Sequence, residues 1–302
     1  MSGRAPSALR QRLPTIAEVL ATSTRPLFSF EFFPPRDETS SRQLWQAVRE
    51  LESLGPDFIS VTYGASGSTR ERTITATEAI AQNTTLRTVA HLTCASQSRD
   101  QLRRVIGSYA AAGVRHVLAI RGDMPGGPTE PWVRHPEGLA NATELVALVR
   151  ELGDFCVGVG AFPDPHPASA DAELDARILV AKAEAGASFA ITQLFFDVAS
   201  YVSLVRRVRA LGCDLPIIPG IMPITNIRQV ARFAELSGAD LPRTVTERVQ
   251  AVADDEHEVR RVGIQIATEM SEALLAAGAP GLHYYTQNRS RATREIYANL
   301  HR

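Results

Sequence analysis

Short runs of β-branched and aromatic residues alternate with helical segments along nearly the whole chain, and this alternation limits the possible folds more than any other feature. Parallel strands joined by crossover helices show this pattern. The chain contains eight such runs. They are predicted to form strands at residues 27–33, 57–63, 88–92, 116–120, 155–162, 189–195, 216–221 and 281–285.

The segments between these runs carry apolar residues at helical spacing. After the first run, Leu44, Val48 and Leu51 repeat at intervals of four and three residues, so we expect them to share one face and pack against the strands. Near the C-terminus the alternation of strands and helices is interrupted, because the spacing predicts two consecutive helices, at 243–252 and 256–275.

An open doubly wound sheet would show the same alternation of strands and helices. The count of eight favours a closed barrel, and no G-x-G-x-x-G turn follows the first run. We therefore predict an α/β fold, a single (β/α)8 TIM barrel with extra helices before the eighth strand. Barrels of roughly 250 residues commonly form one domain, so the expected division is an N-terminal extension at 1–24 and a barrel at 25–302.

Charge and composition exclude several classes of function. The chain has 32 Lys and Arg against 33 Asp and Glu, so no net field attracts nucleic acid or an anionic membrane. No stretch has the length of a signal peptide core or a membrane span, and the three cysteines lack the spacing of a zinc site or a disulfide framework. A cytoplasmic protein without a metal site is expected, and the oligomeric state stays open.

The first predicted strand contains the strongest candidate for a catalytic residue. In FSFEFFPPR, alternation places Phe28, Phe30 and Phe32 on one face and Glu31 on the other. If the phenylalanines face the outer helices, Glu31 points into the barrel, where burial would keep it protonated as a general acid. The alternative is a structural carboxylate held by an arginine or by backbone amides.

Other polar residues follow other predicted strands, at the end where barrels place their catalytic groups. Gln193 can both donate and accept hydrogen bonds, as recognition of a heterocycle requires, although backbone groups can also satisfy a buried glutamine. A lone histidine in such a place is more often structural than catalytic. The residues in this position are Thr62, His91, Arg121, Asp123, His166 and Gln193.

Seven motifs at these strand ends together resemble the methylenetetrahydrofolate reductase family in order and spacing, over about residues 27–302. They are FEFFPPR at Phe30, SVTYG at Ser60, HLTC at His91, AIRGD at Ala119, ITQLFFD at Ile191, IIPGIMP at Ile217 and YTQNR at Tyr285. The resemblance implies a barrel enzyme that uses NADH or NADPH, through FAD, to reduce 5,10-methylenetetrahydrofolate to 5-methyltetrahydrofolate.

The resemblance also implies roles for single residues. Glu31 matches the acid that helps open the imidazolidine ring, and Asp123 matches a residue that contacts the pterin and tunes the charge around the flavin. The positions that match substrate contacts are Asp123, Gln193, Gln229, Phe233, Tyr285 and Arg289. The positions that match the flavin site are Thr62, His91, Arg121, Gly122, Ala142, His166, Asp175 and Lys182.

Departures from the family pattern concentrate on the flavin side. Asn141 replaces a common aromatic, Phe162 replaces a common tyrosine, and Val180 and Ala181 stand beside Lys182 where the family has a basic cluster. Lost cationic partners remove hydrogen bonds worth roughly 1.5–3 kcal/mol each. Two hypotheses follow: a flavoenzyme with other phosphate contacts, or direct hydride transfer from the nicotinamide to the folate.

Two further classes of function are compatible with a barrel of this kind. A non-catalytic folate-binding or regulatory protein on the same barrel would keep Asp123 and Gln193 but would have no use for Glu31. An aldolase or decarboxylase would need a Schiff-base lysine at a strand end, and no predicted strand ends in one.

Overall fold

The computed structural model describes residues 13–63, 67–126 and 130–301. Positions 1–12 of the predicted extension and Gly64 of the SVTYG motif lie outside the described residues. The strands are β1 (Leu27–Phe32), β2 (Phe58–Val61), β3 (Thr88–Thr93), β4 (His116–Ile120), β5 (Cys156–Ala161), β6 (Phe189–Thr192), β7 (Ile217–Ile218), β8 (Gly220–Ile221) and β9 (Gly281–Tyr285). The helices are α1 (Ile16–Thr22), α2 (Glu38–Glu52), α3 (Gly67–Asn83), α4 (Arg99–Ala111), α5 (Ala142–Leu152), α6 (Ala172–Glu184), α7 (Val198–Ala210), α8 (Ile227–Ser237), α9 (Arg243–Gln250), α10 (Glu256–Ala276) and α11 (Ser290–Leu300).

All strand pairs are parallel, in the order β7-β6-β5-β4-β3-β2-β1-β9-β8. The seventh predicted strand, at 216–221, is divided at Pro219, which has no N–H to contribute to a ladder. Its first half, β7, pairs with β6 and its second half, β8, pairs with β9, so the sheet curls into a nearly closed barrel. The predicted TIM-barrel fold is confirmed, with this division as a correction to the strand count.

The outer layer of the core lies between the strands and the surrounding helices. Phe28, Phe30 and Phe32 of β1 all belong to this layer, so the predicted outward orientation of the phenylalanines is confirmed. The predicted apolar face of α2 packs in the same layer, where Leu44, Val48 and Leu51 are buried.

The barrel interior holds a separate apolar cluster near its N-terminal end. Side chains from several strands meet there, together with Ile16 of α1, which is 1% exposed. The backbone N–H of Ile16 donates to His116 Nε2 at 3.3 Å, and burial lowers the pKa of His116 to about 3. The interior at this end is therefore mainly apolar, although the buried His116 at the start of β4 also lies there. The strand residues of the cluster are Phe58, Val89, Leu118, Cys156, Phe189, Ile191 and Ile218.

The two extra helices before the last strand are present as α9 and α10, close to the predicted 243–252 and 256–275. Together with α8 they form a second apolar cluster that includes Leu194 and Phe196 from the segment after β6. This cluster places α8 beside the C-terminal rim of the barrel. No helix within the described ranges combines the length and apolar character that crossing a membrane requires.

Candidate active site

Glu31 lies inside the barrel near the C-terminal end of β1 and is 6% exposed. Three polar side chains from three other strands converge on its Oε2 atom. Ser60 Oγ donates a hydrogen bond at 3.3 Å, and His283 Nε2 lies 3.4 Å away. His91 Nε2 lies 3.5 Å from the same oxygen without hydrogen-bond geometry. The structure therefore brings predicted Glu31 and His91 together.

The register of the parallel strands explains this convergence. β1 lies between β2 and β9, with Glu31 beside Ser60 and Ser29 beside His283. Because side chains alternate, all four point into the barrel. Ser60 and His283 are not among the predicted site residues. Alternation within GLHYY identifies His283 as inward-facing, but its proximity to Glu31 depends on closure of the barrel between the first and last strands.

The pKa of Glu31 is lowered, which overturns the expectation that burial alone keeps it protonated. Burial is the largest influence and raises the pKa, but the hydrogen bond from His283 and the electrostatic influence of His91 and His283 together outweigh it. The Ser60 hydroxyl adds a smaller lowering effect. The carboxyl is thus held by imidazoles and a hydroxyl, rather than by the arginine or backbone amides of the structural alternative.

A second group of polar residues lies at the ends of β4 and β5. Arg121 stacks over the Trp132 ring at 5.7 Å, and Lys182 donates from Nζ to the carbonyl oxygen of Gly160 at 2.9 Å. Burial lowers the pKa of Lys182 to about 8; the nearby Asp175 opposes this shift and Arg121 adds to it. Two cations therefore lie within electrostatic range of one another, an arrangement that an anionic ligand would stabilise.

Asp175 and His166 complete this cationic group. Asp175, in the first turn of α6, accepts from the backbone N–H of His166 at 2.9 Å and from the hydroxyl of Ser169. The His166 ring meets that of Phe162 edge to face, with centroids 4.7 Å apart. Burial lowers the pKa of His166, and Arg121 lowers it further. Arg121, His166, Asp175 and Lys182 thus lie together, as the resemblance implies.

A third group lies where β9 meets the second apolar cluster. The Tyr285 hydroxyl donates to the carbonyl oxygen of Thr192 at 2.5 Å, and its ring packs against the cluster that also contacts Phe233. Gln229 is one helical turn before Phe233 on α8. The Gln193 side-chain oxygen accepts from the N–H of Leu194 at 2.9 Å, so backbone satisfies part of this amide.

The remaining predicted residues lie at the ends of strands or helices around the same rim. Gly122 has a φ of 79°, and a Cβ there would lie 2.6 Å from Thr93 Cβ. Asp123 and Arg289 are exposed, Thr62 follows β2, and Ala142 begins α5.

The substituted positions have local structural explanations. Asn141 is the N-cap of α5, where its side chain accepts from the backbone N–H of Glu144 at 3.0 Å. Val180 packs partly buried against the outer core, and Ala181 is also partly buried beside Lys182. None of these side chains supplies a positive charge, so Arg121 and Lys182 are the cations of the group.

No cluster of three or more His, Cys, Asp or Glu side chains suited to a metal ion occurs among the described positions. The acidic run at 254–258, which resembles a metal cluster in sequence, has a capping role instead. Asp255 is the N-cap of α10 and accepts from the backbone N–H groups of His257 and Glu258.

Comparison with known proteins gives one consistent result. The profile of the family described as methylenetetrahydrofolate reductase matches residues 15–301. A 5,10-methylenetetrahydrofolate reductase of Pectobacterium carotovorum is 39% identical over 274 residues, covering 90% of this chain and 89% of the relative. The protein of the same name from Escherichia coli is 38% identical over 272 residues, covering 90% of both.

A solved structure supports the fold. An uncharacterized protein from Clostridium thermocellum, which binds two copies of 5-methyl-5,6,7,8-tetrahydrofolic acid, superposes with a TM-score of 0.64 at 15% identity. The match covers 93% of this chain and 95% of that protein. At this identity the likeness concerns the barrel alone.

Proposed function

This chain belongs to the methylenetetrahydrofolate reductase family, and we propose that it reduces 5,10-methylenetetrahydrofolate to 5-methyltetrahydrofolate with NADH or NADPH. The main observation that supports this proposal is the position of Glu31. A single carboxyl, buried at the C-terminal end of a barrel strand with three polar side chains within 3.5 Å of one oxygen, is placed for proton transfer.

Glu31 Oε2 donates the proton that opens the imidazolidine ring to the iminium. Ser60 and His283 fix the direction of that oxygen, and the apolar inner cluster below it keeps solvent from the N-terminal side. A proton on Glu31 is more acidic than burial alone would make it, because the imidazoles lower its pKa. Proton donation is therefore easier, but the carboxyl needs a source of protons near neutral pH.

The rim residues hold the folate. Asp123 and Gln193 contact the pterin, as the family resemblance implies, and the hydrogen-bonding capacity of both suits its amide and amine groups. Phe233 and Tyr285 offer aromatic surface at the edge of the second apolar cluster. Gln229 lies in the first turn of α8, and Arg289 directly precedes α11.

The cationic group fits the diphosphate of FAD. Arg121 and Lys182 provide positive charge, and the orphaned buried atoms His91 Nε2 and Thr93 Oγ1 leave polar capacity unfilled on the barrel side. FAD held there would supply hydride transfer between the nicotinamide and the folate. Thr62, Gly122, Ala142, His166 and Asp175 line the remainder of this site. Because Val180 and Ala181 carry no charge, we expect weaker affinity for FAD than a fuller basic cluster gives.

An absorbance spectrum of the purified protein, followed by NADH oxidation assays with methylenetetrahydrofolate, tests the cofactor. A yellow protein, or activity that requires added FAD, supports the flavin route. A colourless protein that is fully active without FAD overturns that route and indicates direct hydride transfer. A protein inactive under both conditions contradicts the reductase function.

The acid is tested by Glu31→Gln, which should abolish turnover and leave folate binding, measured by calorimetry, largely intact. Glu38→Gln, at an exposed carboxylate in the first turn of α2, is the matched control and should keep full activity. Persistent turnover in Glu31→Gln would mean that another group is the acid.

A further inference from the structure

We propose that Trp132 is a binding residue for the dinucleotide cofactor, and that its indole N–H donates to an oxygen of the cofactor diphosphate beside Arg121. This inference rests on the proposed function, because it adds a hydrogen-bond donor to the site proposed for FAD. Trp132 is not among the predicted site residues, since it lies within the connection between β4 and α5 rather than at the end of a strand.

The indole nitrogen of Trp132 is a buried donor without an acceptor. Its Nε1 atom is enclosed by protein and has no hydrogen-bond partner among the described residues. An indole nitrogen only donates, and a buried Trp usually places it against an acceptor, because an unpaired N–H loses the hydrogen bonds that it makes with water. The acceptor that completes this group is therefore expected on a ligand.

The face of the same indole contacts Arg121. The guanidinium carbon lies 5.7 Å from the ring centroid, which is within the range of cation–π attraction. The backbone of Arg121 is also fixed, because its carbonyl oxygen accepts from the N–H groups of Cys94 at 3.2 Å and Ala95 at 3.0 Å. Trp132 and Arg121 therefore form one unit at the end of β4, a neutral donor beside a cation.

The charges around this unit favour an anion. Arg121 lowers the pKa of both His166 and Lys182, so its positive charge acts on both groups. Asp175 opposes both shifts, and the exposed Asp123 opposes the shift at His166. A diphosphate, which FAD and NADH both carry, offers oxygen acceptors to the cations and to the indole N–H together.

The segment that follows Trp132 is anchored before any ligand binds. Arg134 Nε donates to the carbonyl oxygen of Gly138 at 3.1 Å, and the Gly138 N–H donates to the carbonyl oxygen of His135 at 2.8 Å. Gly138 also forms an antiparallel bridge with Ser98, in the connection between β3 and α4. An indole held in this way loses little conformational freedom when the cofactor binds.

Packing offers a different explanation for the unpaired N–H. The indole of Trp132 also packs partly buried against the outer core, and such contacts can outweigh one missing hydrogen bond. If packing is its whole role, the N–H keeps the same environment when the cofactor binds, and the affinity does not depend on it. If the N–H binds the diphosphate, it gains an acceptor and contributes to the affinity.

The first experiment is calorimetric titration of Trp132→Phe with FAD and, separately, with NADH. Phenylalanine keeps an aromatic face for Arg121 but removes the N–H, so the dissociation constant should rise about tenfold. Trp45→Phe is the matched control, because Trp45 is the second tryptophan of the chain and also packs partly buried against the outer core, from α2. This control should bind as the native protein does. An unchanged dissociation constant in Trp132→Phe overturns the inference.

The second experiment observes the N–H itself and does not require Trp132→Phe to fold. In Trp45→Phe the single indole N–H signal of the NMR spectrum belongs to Trp132, since the chain has two tryptophans. Saturation with the cofactor should move the proton signal downfield, as a new hydrogen bond does, and slow its exchange with solvent. A signal that stays in place at saturation overturns the inference.

The two titrations also identify the cofactor that accepts the hydrogen bond. Weaker binding of FAD alone assigns the N–H to the flavin dinucleotide, and weaker binding of NADH alone assigns it to the nicotinamide dinucleotide. If the native protein binds neither, the proposed cofactor chemistry fails and this inference fails with it. Binding by the native protein that is unaffected in Trp132→Phe rejects only the role of Trp132.

Discussion

Lys182 Nζ donates a 2.9 Å hydrogen bond to the carbonyl oxygen of Gly160, which ties the ammonium of α6 to the rim end of β5. The side chain is 8% exposed, and burial lowers its pKa to about 8. One of the two cations proposed to hold the FAD diphosphate therefore titrates just above neutral pH. The charge is present below pH 8 and is lost as the pH rises through that value.

We therefore expect the affinity for FAD to weaken between pH 7 and pH 9. For one ammonium with a pKa of about 8, the protonated fraction falls by about tenfold between pH 7 and pH 9, so the dissociation constant should rise by up to about tenfold. Quenching of flavin fluorescence during titration measures this constant directly, without turnover.

Two variants assign the effect to Lys182. Lys182→Met should bind FAD weakly at both pH values, and Lys182→Arg should bind with little dependence on pH because a guanidinium stays charged. The same pH dependence in Lys182→Met as in the native protein would place the titrating group elsewhere.

Tyr285→Phe should raise the KM for methylenetetrahydrofolate several-fold, with a smaller effect on kcat. The lost hydroxyl leaves the Thr192 carbonyl without its 2.5 Å donor and frees the ring at the proposed folate site. A lost buried hydrogen bond costs about 1–3 kcal/mol. Steady-state kinetics at varied folate concentration gives both parameters.

Tyr284→Phe is the matched control, since neighbouring residues of a strand face opposite sides. Tyr284 lies in the outer core, where its hydroxyl and that of Ser271 are 2.9 Å apart. This variant should lose stability and keep its KM. A similar rise in KM for both variants would show that Tyr285 acts through barrel stability rather than through the substrate site.

Much of the fold could be predicted from the sequence because its signals are local. Alternation within FSFEFFPPR correctly placed the phenylalanines outside and Glu31 inside. The division of the seventh strand was missed, although Pro219 has no N–H and signals the break.

The environment of Glu31 could not be predicted in the same way. Its pKa depends on His91 and His283, which are 60 and 252 positions away along the chain. Their approach follows from register and barrel closure, which no local pattern specifies. Burial alone therefore predicted the wrong direction of the pKa shift.

Gly122→Ala should destabilise the protein by about 1–3 kcal/mol and weaken FAD binding. Gly122 has a φ of 79°, which a residue with a Cβ rarely adopts. An added Cβ would also lie 2.6 Å from Thr93 Cβ, which is a steric clash. Thermal unfolding and flavin titration measure the two effects.

Gly107→Ala provides the comparison, because Gly107 lies within α4 and an added Cβ meets nothing within 4 Å. This substitution should be neutral or stabilise the helix by about 1 kcal/mol. Equal losses of stability in both variants would contradict the close approach described at Gly122.

His116 at the N-terminal end of the barrel should make the protein sensitive to mild acid. Burial lowers its pKa from 6.5 to about 3, and it accepts the backbone N–H of Ile16 at 3.3 Å. The unfolded chain takes up this proton as the pH falls through 6.5, whereas the folded chain takes it up only near pH 3. Stability therefore decreases across that window, by roughly 2 kcal/mol between pH 7 and pH 5.

Urea unfolding of the native protein and His116→Gln at both pH values isolates this contribution, since the other titrating groups are common to both. The variant should lose less stability on acidification, while His257→Gln, which changes an exposed histidine, should behave as the native protein does. Equal losses of stability on acidification in His116→Gln and the native protein would show that His116 is not the group responsible for this pH dependence.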